Sequence, residues 1–319
     1  MAKIFTETDI SLNRTKEEFL VSIISTKGCF WAKNASGCYM CGYSIDSNPN
    51  ITENDIIKQI DIIKSQIVSQ KPYGIKIYNS GSFFDKNDFP ERCQEYILDI
   101  IANTDIEEVI IESCPNFITD KNISKIKNKL PGKSLIISLG LESSSNRVLK
   151  YSINKPTQFE DYIRASEIIK KNKCHIKTYL LYKPPFLSEK EAYLDLVNSL
   201  KKIKDYTTIT TINLCNIQKN TLLEKLYMKK EYKTGWLWSV VKAIYDSRKF
   251  IDNYILIVGL AGAATKRGVH NCKKCSKDIV RLLKNFSLTQ DFSLIESALN
   301  ISCSCKKAWE TESCLKIEG

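Results

Sequence analysis

Six short apolar or β-branched runs, each followed by a longer amphipathic stretch, constrain this chain more than any other feature. The runs occupy residues 20–25, 74–78, 108–112, 134–139, 176–181 and 208–213. Their length and composition are those of strands. The stretches between them read as helices at 52–70, 89–102, 120–129, 158–171 and 188–203. The first opens Thr-x-x-Asp, the pattern of a capping box, and places Ile56, Ile60, Ile63 and Ile67 on one stripe. Parallel neighbours need long crossover connections, and amphipathic helices supply them. Six βα units in order therefore predict an α/β fold, a parallel sheet with helices outside, open or curled into a partial barrel. In such folds the chemistry collects at the C-terminal ends of the strands.

The rhythm breaks near residue 215. Residues 219–230 read as a basic helix, 235–245 carry Trp236 and Trp238, and 254–258 read as a seventh strand. From Thr265 onward the chain is basic and rich in cysteine. The expected division is a (β/α)6 core over 1–215 and an appended region over 216–319 with little core of its own.

Composition narrows the chemistry. There are two histidines, His175 and His270, so a centre built on several imidazoles is all but excluded. Residues 1–28 lack the apolar segment of a signal peptide, and the longest apolar run, 254–264, is too short to span a bilayer. The expectation is a cytoplasmic protein with no membrane partner. Twelve cysteines in such a setting stay reduced, and clustered ones read as metal ligands. The formal net charge of +11 favours a polyanionic partner by long-range attraction. A solvated, lysine-biased surface is the plainer account.

The first cysteine cluster follows the first run. Cys29, Cys38 and Cys41 are spaced Cys-x8-Cys-x2-Cys, with Gly28, Gly37 and Gly42 beside them. Three thiolates on one such loop suit three corners of a [4Fe–4S] cluster and leave the fourth iron open to a small chelating molecule. Tyr39 is placed to shield it. A zinc knuckle short of one ligand, or scattered core cysteines, are the alternatives.

These residues resemble the cluster motif of the radical S-adenosylmethionine (SAM) superfamily, although its commonest spacing is Cys-x3-Cys-x2-Cys. Residues 28–31 with 37–43 resemble its Elongator-like branch, and within that the archaeal archaeosine-synthase radical subunits. Further matches run to about residue 310: 78–85, 140–144 with 153–155, 183–192, 218–221, 236–239 and 267–272. Val269 and Gly235 stand where that pattern leads one to expect proline. The resemblance implies a TIM-like partial (β/α)6 radical SAM barrel with a cysteine-rich metal-binding extension at its C-terminal end. It implies SAM contacts from the turn Asn79, Ser80, Gly81 and Ser82, from Gly140, Glu142 and Ser143, and from Lys183. It implies that the reduced cluster splits SAM into methionine and a 5′-deoxyadenosyl radical, a lyase chemistry in which the protein places groups and excludes water. The substrate implied is tRNA carrying a lysine adduct of preQ0 base at position 15, whose C–N bond is cleaved to leave archaeosine. The partners implied are a transferase subunit that installs the lysine and an electron donor.

The second cluster is Cys272-x2-Cys275 with Cys303-x-Cys305. Four thiolates suit structural zinc, with His270 as an available substitute, and an auxiliary iron–sulfur cluster is chemically allowed. A small module with little core gains most from a closed metal site. Lys266, Arg267, Lys273, Lys274 and Lys277 surround it, a plausible phosphate contact or a solvated face. Two rivals stay open: another radical SAM tRNA-modifying enzyme, Elongator-like or methylthiotransferase-like, and a non-catalytic zinc-pinned RNA-binding protein. Cys93, Cys114, Cys174, Cys215 and Cys314 stand singly and read as small core residues.

Overall fold

The chain opens with a hairpin. In the computed structural model, which describes residues 2–42 and 47–315, β1 (Lys3–Ile10) and β2 (Lys16–Ile24) pair antiparallel, from Lys3 opposite Ile23 to Ile10 opposite Lys16. The amide of Ser11 donates to Thr15 O at 2.8 Å, and Arg14, at φ 61°, donates to Ser11 O at 2.9 Å. β1 is not among the six expected runs. Only Ile10 of its residues is buried, so no apolar alternation marks it as a strand.

A short helix not expected from the sequence, α1 (Phe30–Asn34), lies in the cysteine loop, and the expected units follow: α2 (Glu53–Gln70), β3 (Gly74–Asn79), α3 (Glu91–Ala102), β4 (Glu108–Ser113), α4 (Asp120–Lys129), β5 (Ser134–Glu142), α5 (Phe159–Lys171), β6 (His175–Tyr182), α6 (Glu189–Ile203) and β7 (Ile209–Leu214). The capping box at Thr52 forms, with Asp55 N donating to Thr52 Oγ1 at 3.2 Å, and Ile56, Ile60, Ile63 and Ile67 are all buried. Ser188 caps α6 in the same way through Glu191. β2, β3, β4 and β5 pair in parallel, Leu20 against Ile75, Ile75 against Val109 and Val109 against Leu135. β5 runs on to Glu142, so Gly140 lies within the strand rather than in the turn after it. Glu142, at φ 72°, ends it.

Past β7 come α7 (Leu222–Met228), α8 (Leu237–Asp246), α9 (Arg248–Ile251), β8 (Ile255–Gly259), α10 (Ser276–Thr289), α11 (Ser293–Leu299) and α12 (Cys305–Ser313). β8 pairs parallel with β7, Ile209 against Ile255. The strand order is the chain order, β1 through β8. Among the described residues no helix is long and apolar enough to cross a membrane.

Two compact units divide the chain: residues 1–37, 42–140 and 160–177, and residues 38–41, 141–159 and 178–319. In the first, strand residues Leu20, Ile75, Ile77, Val109 and Ile111 are fully buried, as are Ile60, Ile97 and Ile123 of its helices. In the second, Trp238, Leu283, Phe286, Ile295 and Trp309 are fully buried, so the region after residue 216 contributes heavily to a hydrophobic interior.

Candidate metal and cofactor sites

Cys29 belongs to the first unit, where it is the residue before α1. Gly28 just before it takes φ 103°, a conformation that other residues rarely adopt. The loop is fixed by Asp88, which is fully buried. Gly28 N donates to Asp88 Oδ1 at 2.6 Å, and Asn79 Nδ2 donates to Asp88 Oδ2 at 2.6 Å. Burial raises the Asp88 carboxyl above its usual range, against the hydrogen bonds it accepts from Gly28 and Asn79. Gly81 lies against the same carboxylate. A Cβ there would sit 2.3 Å from Asp88 Oδ2 and 3.2 Å from Cys29 Cα. The β3 turn thus approaches the cysteine loop closely because position 81 has no side chain. Ser82 Oγ meets Ser113 Oγ at 2.7 Å and accepts Cys114 N at 3.1 Å, so the turn is also fastened to the end of β4. Asn79, Ser80, Gly81 and Ser82 are therefore held together at a strand's C-terminal end. Asp88 escaped the sequence reading, since an acid ten residues past a run carries no local pattern.

Cys38 and Cys41 belong to the second unit. Cys41 N donates to Cys38 O at 3.1 Å. Between them the Tyr39 peptide is held on both sides: its N–H donates to Ile153 O at 2.9 Å, and its carbonyl accepts Leu223 N at 3.0 Å. Ile153 ends a π-helical turn, Val148–Ile153. Cys38 and Met40 pack on Val148, Leu149 and Ile153, and Met40 also packs on Leu181, Cys215, Ile217, Leu223 and Tyr232. The Tyr39 ring meets Phe186 edge-on at 6.0 Å between centroids. All three cysteines of the loop are partly accessible, as thiols that receive a cofactor must be. In the first unit the glycine turn at 81 is pressed against the backbone of Cys29. Tyr43, at the end of the motif, lies outside the described residues.

The later strand ends carry the remaining residues expected to meet SAM. Glu142 pairs with Lys155 Nζ at 3.0 Å, both largely buried. Ser143 Oγ donates to Asp195 Oδ1 at 2.7 Å, and burial pushes the Asp195 carboxyl up to about 6. Lys183 sits at φ 65° after β6. Its Nζ donates to Leu187 O and lies 5.5 Å from the centre of the Tyr232 ring, while its carbonyl accepts Tyr232 Oη at 2.8 Å. Next to it, buried Glu189 Oε1 accepts Tyr182 Oη, Ser239 Oγ and Trp236 N at 2.5, 2.6 and 3.0 Å. Trp309 Nε1 donates to the same Ser239 at 2.8 Å and ties α12 into this network. Burial raises the Glu189 carboxyl, opposed by those donors.

The tail cysteines converge. The Sγ atoms of Cys272, Cys275, Cys303 and Cys305 all lie within 4.8 Å of one another. Four of the pairs are close: 3.7 Å (272–275), 3.3 Å (272–303), 3.5 Å (275–305) and 3.5 Å (303–305). Burial alone would raise the Cys272 thiol. Hydrogen bonds from the Cys275 and Lys274 amides and the neighbouring thiols outweigh it and hold it at about 6. His270 stands apart from the group: its Nδ1 is 2.9 Å from Gly268 O and 3.2 Å from Thr234 Oγ1. Lys266, Lys273, Lys274 and Lys277 are exposed. Arg267 is not free among them, since it pairs with Glu224 Oε1 at 2.5 Å and donates to Ile217 O at 3.1 Å. Cys93, Cys174 and Cys215 are buried as expected, Cys114 is partly so, and Cys314 is exposed at the end of α12.

No family model matches the chain. Its fold is shared with a radical SAM methyltransferase from Sphaerobacter thermophilus, at a TM-score of 0.54 and 8% identity over 83% of this chain and 80% of that one. The architecture is therefore the α/β partial barrel of the radical SAM proteins, here with a C-terminal cysteine cluster. Archaeosine synthase subunit beta from Methanosarcina acetivorans is 35% identical over 312 residues, 97% of this chain and 88% of the relative. The subunit of the same name from Thermococcus kodakarensis is 34% identical over 296 residues, 91% of this chain and 90% of the relative. The chain belongs to the archaeosine synthase subunit beta family.

Proposed function

We propose that this chain is a radical SAM lyase of tRNA modification, acting on a lysine adduct of preQ0 base at tRNA position 15. It cleaves a C–N bond of the adduct and leaves the amidine of archaeosine. The carrying observation is the likeness to two archaeosine synthase beta subunits over more than nine-tenths of the chain. On this reading a separate transferase subunit installs the lysine, and an electron donor serves the cluster.

Cys29, Cys38 and Cys41 would hold the [4Fe–4S] cluster, with SAM at the open iron. Together these supply a hydrogen-abstracting radical. The chain's own part is placement. Asp88 sets the Cys29 loop and the Asn79–Ser82 turn through its two accepted bonds, so that turn's carbonyls would meet the SAM amino group. Lys155 holds the Glu142 carboxylate in one position, ready for a ribose hydroxyl. Gly140, Ser143 and Lys183 complete the SAM-facing set.

The tail site is read as zinc. Four sulfurs about a tetrahedral ion at ~2.3 Å lie about 3.8 Å apart, close to the 3.3–3.7 Å of four of the six pairs, all six being within 4.8 Å. A four-iron cluster needs its thiolates spread around a body several atoms wide. The division 1–215 and 216–319 then has a functional sense: a catalytic core, and an extension whose exposed lysines meet phosphates. A sulfur-inserting modifier would need an auxiliary cluster, which this spacing disfavours.

Anaerobic incubation with SAM, reductant and adduct-bearing tRNA should release 5′-deoxyadenosine and archaeosine. Cys38→Ala should abolish both. Turnover that survives Cys38→Ala overturns the cluster assignment, and 5′-deoxyadenosine without archaeosine overturns the substrate.

A further inference from the structure

Phe186 is held where a phenylalanine is disfavoured twice over. Its backbone is left-handed, at φ 65°, and its side chain is 58% exposed. Bulky residues rarely take that backbone, and glycine or asparagine would hold it at less cost. The segment is fixed from both ends. Lys183, also left-handed, is fastened through its carbonyl and its ammonium group to Tyr232 and Leu187. Two prolines follow, and Ser188 begins the cap of α6 by accepting Glu191 N at 3.2 Å. An imposed backbone of this kind, presenting an apolar ring to solvent, is a known companion of function.

The ring's position gives it a use. It stands edge-on against Tyr39, between Cys38 and Cys41 in sequence. The π-helical turn that holds the Tyr39 amide carries a second exposed aromatic, Tyr151 (62% exposed), with Lys150 Nζ 5.1 Å from its ring centre. Exposed rings, one of them with a cation beside it, suit an unstacked nucleobase and its phosphates. A base that must be modified within a folded RNA leaves its own stack, and a rigid ring at the site returns part of that loss.

We propose that Phe186 is the platform on which the target base of the RNA substrate stacks. This rests on the tRNA reading above and names the residue that seats the base.

Phe186→Gly separates this role from a structural one, because it removes the left-handed strain. The holoenzyme variant should keep or raise its melting temperature. Its KM for adduct-bearing tRNA should rise about 5- to 100-fold, the worth of one stacked base. Phe186→Tyr should restore the KM and Phe186→Leu should not. KM for SAM, and 5′-deoxyadenosine release without tRNA, should stay within about twofold of the parent. Filter binding of the same tRNA should show the same loss in Kd, and it reads the platform even in a preparation that does not turn over. Unchanged tRNA affinity in Phe186→Gly, or full rescue by leucine, overturns the proposal. So does a raised KM for SAM alone, which would put the ring against the cofactor. Failure of the parent enzyme to cleave SAM counts against the proposed function, not the platform.

Discussion

Gly81→Ala tests how the β3 turn and the cysteine loop are joined. The backbone of Gly81 is outside the left-handed region, so alanine meets no conformational penalty and the cost is steric. The new Cβ would sit 2.3 Å from Asp88 Oδ2 and 2.9 Å from its Cγ. To reach ordinary contact the carboxylate must retreat by about 1 Å. It cannot do so freely, since it is fully buried and accepts two hydrogen bonds of 2.6 Å. Overpacking of this kind costs about 1–3 kcal/mol. The alanine recovers about 0.4–1 kcal/mol from the unfolded chain. A net loss of about 1–2 kcal/mol remains, or roughly 1.5–3 °C in Tm for a chain of this size. Calorimetry, with iron quantified after anaerobic reconstitution, should show both a lower Tm and a lower iron content. The decisive arm is the double variant. With Asp88→Ala in the background, Gly81→Ala should cost almost nothing, a coupling of about 1–2 kcal/mol in the double-mutant cycle. Additive losses would refute the view that Asp88 is the post against which the turn is set.

Two further outcomes follow from the second unit. Cys303→Ser removes one of the four converging thiols; on the proposed zinc reading, zinc by mass spectrometry should fall well below one per chain, and Tm should fall with it because such a metal site contributes folding energy. Full zinc retention would mean that the ion sits elsewhere. Asp195, raised by burial to about 6, ionises less readily in the folded chain than in the unfolded one. Its ionisation therefore opposes folding: stability falls as pH rises from about 4 to about 6 and is level above that. Asp195→Asn keeps an acceptor for Ser143 and should flatten this slope, gaining at most about 3 kcal/mol at pH 7 and less where water reaches the group. Denaturant melts between pH 4 and 8 that keep the parent slope would refute it.

What the sequence disclosed was local. Thr52 and Ser188 announce their helices because a cap is written within four residues of itself. The tail cysteines disclosed a metal site because the Cys-x2-Cys and Cys-x-Cys pairs preset half of the geometry each, and folding only had to bring the halves together. What stayed hidden depends on distant partners. β1 is a strand only because β2 pairs with it, and its own residues are mostly exposed. Asp88 matters through Gly28, sixty residues away. Arg267 reads as a free cation beside four lysines until Glu224 is found against it. β5 reads as ending at Leu139 because Gly140 interrupts the apolar run, yet the backbone continues extended to Glu142.

The hydrogen bonds that hold residue 39 are made by its backbone N–H and carbonyl, while its ring meets Phe186 edge-on. Nineteen of the twenty amino acids can offer that N–H; only proline lacks it. The backbone fastening between Cys38 and Cys41 would therefore outlast a change of side chain at 39, and it leaves almost no trace in a comparison of letters.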